Sequence, residues 1–275
     1  MPELPEVETV VRTLRPQLEG QTFARIEVRH EDVVNHPKDI AAFTARLAGR
    51  SVEELYRRGK YICMVLSDGQ LLAAHLRMTG RLLCTAPEQE LLPHTHLIID
   101  LSGGRQLRYA DVRRFGGFWL LEKDEEDTVT GLSKLGIEPL SEDFTAGYLI
   151  EHLGRRSCPV KNGILDQGVI AGLGNIYADE TLFAAKVRPD RQCRSLTEAE
   201  WQAVAAAIPP ILNSAIEHRG TTFSDFLDGE GREGENVNYL KAYGHYGRPC
   251  ERCGATMEKI RVGGRGTCFC PSCQR

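Results

Sequence analysis

The chain has 275 residues, 41% of them apolar and 26% charged, with a formal net charge of −4. That composition excludes a disordered or fibrous protein, allows two domains each with its own core, and includes no apolar run of membrane-spanning length. No basic-then-apolar leader is evident, so a cytosolic protein is expected, and the nine Cys point to reduced thiols and metal ligation rather than disulfides.

Met1-Pro2-Glu3 opens the chain. Removal of the initiator Met would leave Pro2 with a free secondary amine of pKa about 8, against about 10.4 for Lys, so part of it is unprotonated at neutral pH. Addition of such an amine to a sugar C1′ or an aldehyde gives a cationic iminium, an electron sink for later bond breaking. Glu3 and Glu6 stand beside it as proton carriers. The same residues also suit a plain helix start, with Pro in the first turn and Glu favoured by the helix dipole.

Val7, Val10, Val11, Leu14 and Leu18 share one helical face, and Pro16 is expected to end or bend that helix. From about Thr22 to Glu122 the pattern predicts strands, among them 61–66, 71–72, 97–99 and 118–121, with Asp68-Gly69 and Gly103-Gly104 as hairpin turns. This is a β-sandwich with the first helix laid against it. Glu122, Asp124, Glu125, Glu126 and Asp127 form an acidic linker. Beyond it the pattern is helical. Gly172-Leu-Gly-Asn175 fails as a dinucleotide fingerprint because Tyr177 takes the place of the third Gly. It reads instead as a tight turn between helices, whose backbone N–H groups and Asn175 amide could hold a phosphate. Leu196 and Thr197 to Glu200 announce a capped helix running toward His218, bent near Pro209-Pro210. Gly229 to Gly234 reads as a mobile loop.

Cys250-x2-Cys253 and Cys270-x2-Cys273 are separated by sixteen residues, enough for a β-hairpin that folds one pair onto the other. Four thiolates form a closed tetrahedral site for one structural Zn2+, with no open position for water. Cys268 is a possible competitor. Lys259, Arg261 and Arg265 lie among Gly263, Gly264 and Gly266, and from Lys241 to Arg275 seven Lys/Arg outnumber two Asp/Glu. A basic glycine-rich hairpin suits phosphate or groove contact despite the acidic whole.

Taken together, Met1-Pro-Glu-Leu-Pro-Glu6, Arg58-Gly-Lys60, His75-Leu-Arg-Met78, Asp111-Val-Arg-Arg-Phe-Gly116, Asp166-Gln167, Gly172-Leu-Gly-Asn-Ile-Tyr177 and the terminal hairpin resemble bacterial formamidopyrimidine-DNA glycosylases, in order and from residue 2 to about 273. Leu4 and the 111–115 stretch favour the purine-excising branch over the endonuclease VIII-like one. The resemblance implies an α+β multidomain chain: an N-terminal catalytic β-sandwich (1–127), a helix-two-turn-helix domain (128–240) and a zinc hairpin (241–275). It implies that Pro2 attacks C1′, Glu3 moves protons during β,δ-elimination, and Lys60 and Arg265 hold phosphates at the reacting sugar. Met78, Arg113 and Phe115 would fill the gap left by a flipped base, and His94, Lys161, Asn175, Tyr243 and Lys259 would contact DNA. The implied partner is double-stranded DNA containing oxidised purines, met by a monomer in the bacterial cytoplasm, at the nucleoid. On residue type alone, Met78 and Phe115 would be core residues and His75, His94 and His96 satisfied structural histidines.

The chain departs from the pattern in three places. Ser224 follows Thr221-Thr222-Phe223 where many members have Arg, Cys268 replaces a common His, and Gly163 interrupts a helix-favouring run. Rival readings are excision of oxidised pyrimidines, a non-catalytic damage binder whose retained Met1 blocks Pro2, and a proline-amine tautomerase, which would leave the zinc hairpin unused.

Overall fold

In the computed structural model, residues 2–122, 125 and 131–275 are described; Met1 and the linker residues Asp124, Glu126 and Asp127 lie outside them. Helix α1 (Leu4–Leu18) buries Val7, Val10, Val11, Leu14 and Leu18 completely, the face that periodicity predicts. Pro16 does not end it. A proline there forfeits a single N–H in the last turn, and the helix closes two residues later, with Gly20 in the left-handed conformation at φ +79.

The strands are β1 (Phe23–Val28), β2 (Val34–His36), β3 (Val52–Arg58), β4 (Tyr61–Leu66), β5 (Leu71–His75), β6 (Gly80–Thr85), β7 (Thr95–Leu101), β8 (Gln106–Asp111) and β9 (Gly117–Leu121). They form a four-stranded sheet, β1-β7-β8-β6, and a five-stranded sheet, β2-β9-β5-β4-β3. Only the β2–β9 pairing is parallel among these. Phe23, Phe43, Ile62, Leu72, Leu82, Ile99 and Phe118 meet the α1 face in one continuous core. The strand-only reading of 22–122 missed helix α2 (Ile40–Leu47), capped by the Asp39 carboxylate on Ala42 N–H at 3.1 Å. Its apolar residues Ile40, Phe43 and Leu47 had the helical spacing.

The later elements are α3 (Ala146–Leu153), α4 (Val160–Ile164), α5 (Asn175–Ala184), α6 (Glu198–Glu217) and the hairpin strands β10 (Glu258–Val262) and β11 (Arg265–Phe269). The expected capping box opens α6: Thr197 N–H donates to Glu200 at 2.8 Å, and Glu200 N–H to the Thr197 hydroxyl at 3.3 Å. Both prolines lie inside α6.

Two compact units result, Met1–Ser133 with His218–Glu235, and Lys134–Glu217 with Asn236–Arg275. Residues 218–235, which the sequence boundaries assign to the helical domain, thus join the sandwich. Thr221 N–H donates to Glu6 at 2.7 Å, Gly229 N–H to the Thr13 hydroxyl at 2.9 Å, and Cys84 N–H to the Gly229 carbonyl at 2.9 Å, while Phe226 enters the core. The Gly229–Gly234 stretch is accordingly pinned, with the buried Asp228 carboxylate accepting the N–H groups of Glu230 and Arg232. Among the described residues, no helix is long and apolar enough to cross a membrane.

Candidate active site and nucleic-acid interface

At the head of α1, Pro2, Glu3 and Glu6 are all buried. The Glu6 carboxylate is fixed at both oxygens, one accepting Glu3 N–H at 2.8 Å and the other Thr221 N–H at 2.7 Å. Glu6 therefore positions its neighbours. Gly220, at φ +81, brings its backbone against Glu6 so closely that a Cβ would lie 3.0 Å from the Glu6 side chain. One turn on, Glu8 joins α1 to the turn carrying Lys60. Arg57 donates to Glu8 at 3.0 Å and to the Gly59 carbonyl at 3.1 Å. Burial pushes the Glu8 carboxyl up, but Arg12 and Arg57 outweigh it and hold the group below its ordinary value.

Lys60 itself is buried, and its charge is felt by His75. Burial first, then Arg77 and Lys60, bring His75 down to about 3, so its ring is neutral. Its Nδ1 accepts Arg77 N–H at 2.9 Å, and its ring meets Tyr61 edge-on at 4.7 Å.

Met78, Arg113 and Phe115 come together on two neighbouring loops. Met78 is 39% and Phe115 57% exposed, and the Arg113 guanidinium lies 4.4 Å over the Phe115 ring. The loops are joined by Asp111, which is 1% exposed and accepts from the Thr79 hydroxyl (2.5 Å), the Tyr109 hydroxyl (2.9 Å), Gly116 N–H (3.0 Å) and Arg113 N–H (3.1 Å). Burial alone would raise this carboxyl, yet the four hydrogen bonds lower it. A Cβ on Gly116 would collide with the Tyr109 hydroxyl and the His75 carbonyl, so only glycine closes this loop.

In the second unit, a different carboxylate pair anchors the hairpin. Asp179 on α5 accepts Cys268 N–H at 3.0 Å and pairs with Lys161 at 2.6 Å. Lys161 also donates to the Thr267 hydroxyl at 2.7 Å, and the Asn175 amide donates to the Gly266 carbonyl at 3.2 Å. Glu180 accepts the N–H groups of Lys241, Ala242 and Tyr243 at 2.8–3.0 Å. Asn175, Tyr243, Lys259 and Gly266 then line one concavity. The hairpin turns at Gly263-Gly264, with φ of 56 and 78 as a type I′ turn requires, leaving Lys259, Arg261 and Arg265 exposed.

The sulfur atoms of Cys250, Cys253, Cys270 and Cys273 all lie within 4.8 Å of one another. Cys250–Cys273 is 4.0 Å and Cys253–Cys270 is 3.5 Å. Tetrahedral zinc with Zn–S of about 2.3 Å places its sulfurs about 3.8 Å apart, so the four thiols fit the ion.

These elements have known counterparts. Residues 1–118 match the family model of the formamidopyrimidine-DNA glycosylase N-terminal domain, 135–226 that of its H2TH domain, and 247–275 a zinc finger found in FPG and IleRS. A formamidopyrimidine-DNA glycosylase of Pelotomaculum thermopropionicum is 46% identical over 275 residues, covering 100% of this chain and 99% of its own length. The chain belongs to the formamidopyrimidine-DNA glycosylase family. Among solved structures, a Lactococcus lactis FPG variant in complex with Fapy-dG-containing DNA superposes with a TM-score of 0.92 at 36% identity, covering 100% of both chains. A MutM complex with carbocyclic 8-oxo-G-containing DNA superposes at 0.91 and 37% identity, again over 100% of both.

Within this family framework, one expectation changes. Lys161, expected at the DNA, is 0% exposed, and its ammonium is consumed by Asp179, Thr267 and Gly266, so it anchors the hairpin. The four paired cysteines form the cluster as their spacing favours, and Cys268 lies outside it; its thiol is buried, and burial and then Asp179 raise it to about 11. His94 is exposed at φ +62 and its carbonyl accepts Asp111 N–H at 3.0 Å, whereas His96 is buried with its ring on the Asp111 carbonyl at 2.9 Å. Ser224 hydrogen-bonds Asp225 at 2.7 Å, and Arg81 of β6 reaches the Asp225 carbonyl at 2.6 Å. Asp111 opens the 111–116 motif but has no role of its own in the sequence reading, and Asp179 and Glu180 have none either. Their shared local signal is acidic residues set in otherwise apolar surroundings, in Tyr109-Ala-Asp111 and Tyr177-Ala-Asp-Glu180.

Proposed function

We propose that this chain is a bifunctional DNA glycosylase and AP lyase that removes 8-oxoguanine and formamidopyrimidines from duplex DNA by covalent attack of the Pro2 amine. The observation that carries this reading is one unit holding both a buried Pro2-Glu3 at a doubly anchored helix start and an exposed Met78–Arg113–Phe115 wedge. Extruding a base costs a few kcal/mol of stacking and pairing. Met78 and Phe115 replace part of the lost stacking, and Arg113 donates to the orphaned partner base.

With Met1 removed, the Pro2 nitrogen adds to C1′ and the base departs with its bonding electrons and a proton. Glu3 protonates the sugar ring oxygen, which opens the ring and leaves an iminium. The iminium acidifies C2′–H, so that loss of this proton expels the 3′ phosphate, and a second elimination expels the 5′ phosphate. Lys60 and Arg265 hold the flanking phosphates, while Asn175, Tyr243, Lys259 and His94 contact the backbone. Zinc takes no part in bond breaking; it keeps the hairpin folded. The chain acts as a monomer on DNA in the bacterial cytoplasm, at the nucleoid.

The test offers the protein end-labelled duplexes carrying 8-oxoguanine opposite C or an oxidised pyrimidine. Preferential cleavage of the first, leaving phosphates at both ends of the gap, is expected. Preference for the second assigns the pyrimidine substrate class, and salt-dependent binding without cleavage leaves a damage binder.

A further inference from the structure

Cys158 and Cys193 lie outside the zinc site and outside every role assigned above. Their sulfurs are 3.8 Å apart, with Cys158 partly exposed and Cys193 buried. They sit opposite each other on two segments that run antiparallel. Val160 N–H donates to the Arg191 carbonyl at 2.7 Å, Cys193 N–H to the Cys158 carbonyl at 3.0 Å, and Arg194 N–H to the Arg156 carbonyl at 3.0 Å. Gly163 supplies the space for this arrangement. A Cβ there would stand 2.8 Å from the Cys193 sulfur, so the residue that breaks the local helix preference is the one that admits the thiol.

We propose that Cys158 and Cys193 form a reversible dithiol–disulfide pair, oxidised by low-molecular-weight disulfides. A disulfide needs the sulfurs about 2.05 Å apart, and here the backbone already holds the two residues face to face, so side-chain rotation supplies most of the approach. Cys158 is the residue an oxidant reaches, and Arg155, Arg156 and Arg194 are exposed beside the pair. Burial, then the Cys158 sulfur, push the Cys193 thiol up to about 12, which leaves Cys158 to make the first attack.

The exchange balances. Cys158, having lost its proton to solvent, attacks one sulfur of the small disulfide and releases one thiol. Cys193, losing its own proton, then attacks the Cys158 sulfur and releases the second thiol. Two cysteine thiols give up two electrons and two protons, and the small disulfide is reduced to two thiols. The new bond ties 156–160 to 191–194, and the same two segments continue into the hydrogen bond from Lys161 N–H to the Pro189 carbonyl at 3.2 Å. Oxidation thereby clamps the segment that anchors the hairpin.

The test treats the full-length zinc-loaded protein with oxidised glutathione, followed by non-reducing peptide mapping, zinc quantification and thermal melting. The expected result is a Cys158–Cys193 cross-link that dithiothreitol reverses, retained zinc, and a melting temperature raised by several degrees. Cys158→Ser abolishes the cross-link, and Gly163→Ala slows it several-fold by displacing the Cys193 sulfur. Glutathione remaining on Cys158 without a cross-link, oxidation confined to the zinc ligands, no reaction, or a melting temperature that does not rise each overturn the proposal. An unchanged rate in Gly163→Ala overturns the role given to that glycine.

Discussion

The two units solve the same problem, holding polar functional groups at a surface, with different resources. In the sandwich unit, α1 and both sheets share one large apolar core, and Asp111 has only to shape two loops, using four neutral donors. In the hairpin, the apolar cluster is small, built from Phe183, Ala242, Cys250, Met257, Cys268 and Cys270. There a buried ion pair and a metal do the work that apolar burial does in the sandwich. A large core lets a buried carboxylate remain a local brace, whereas a small one makes charge and metal the fold itself.

Zinc removal is the largest expected perturbation. A chelator should unfold the hairpin and abolish DNA binding while the sandwich transition persists in calorimetry; a single unchanged transition would erase the contrast. Next comes the fully buried Lys161–Asp179 pair. Burial already raises the Asp179 carboxyl to about 6 despite Lys161, so Lys161→Met should cost roughly 3–5 kcal/mol by leaving a buried carboxyl that must take up a proton or stay unpaired, and the double change with Asp179→Leu should recover most of it. Asp111→Ala is smaller in stability, about 1–3 kcal/mol, because it strands the Tyr109 hydroxyl and Gly116 N–H. Its effect on excision should exceed its effect on melting, since Met78 and Arg113 lose their common brace; equal effects would make Asp111 merely structural.

A pH dependence in the sandwich, comparable in size, comes from His75. His75 has a folded pKa of about 3 against 6.5 for the free side chain, so below 6.5 the unfolded state takes up the extra proton. Stability from this group is intact above 6.5 and falls as pH drops toward 3, by roughly 2 kcal/mol between pH 7 and 5. Denaturant melts of wild type and His75→Gln should show the excess loss in the wild type only, and parallel curves would refute it.

What was legible in the sequence is what local spacing encodes. The α1 face, the Asp68-Gly69 and Gly103-Gly104 turns, the Thr197–Glu200 box and the paired cysteines all appear where periodicity and turn chemistry put them. Long-range pairing was not legible. Glu6 meets Thr221 across 215 residues and Lys161 meets Thr267 across 106, so neither the joining of 218–235 to the sandwich nor the burial of Lys161 has a local signature. Helix α2 was passed over because its eight residues sit between strands, although Asp39 and the Ile40–Phe43–Leu47 spacing marked it. Gly163 likewise has no local signature, because what requires it is the Cys193 sulfur of a distant segment.

The most direct test of the account is borohydride reduction during turnover of an 8-oxoguanine:C duplex, with the adduct located by peptide mass. A covalent link between DNA and the Pro2 nitrogen of a chain lacking Met1 is the predicted result. An adduct on a lysine, or none from a Met1-free chain that still cleaves the duplex, would contradict the proline mechanism.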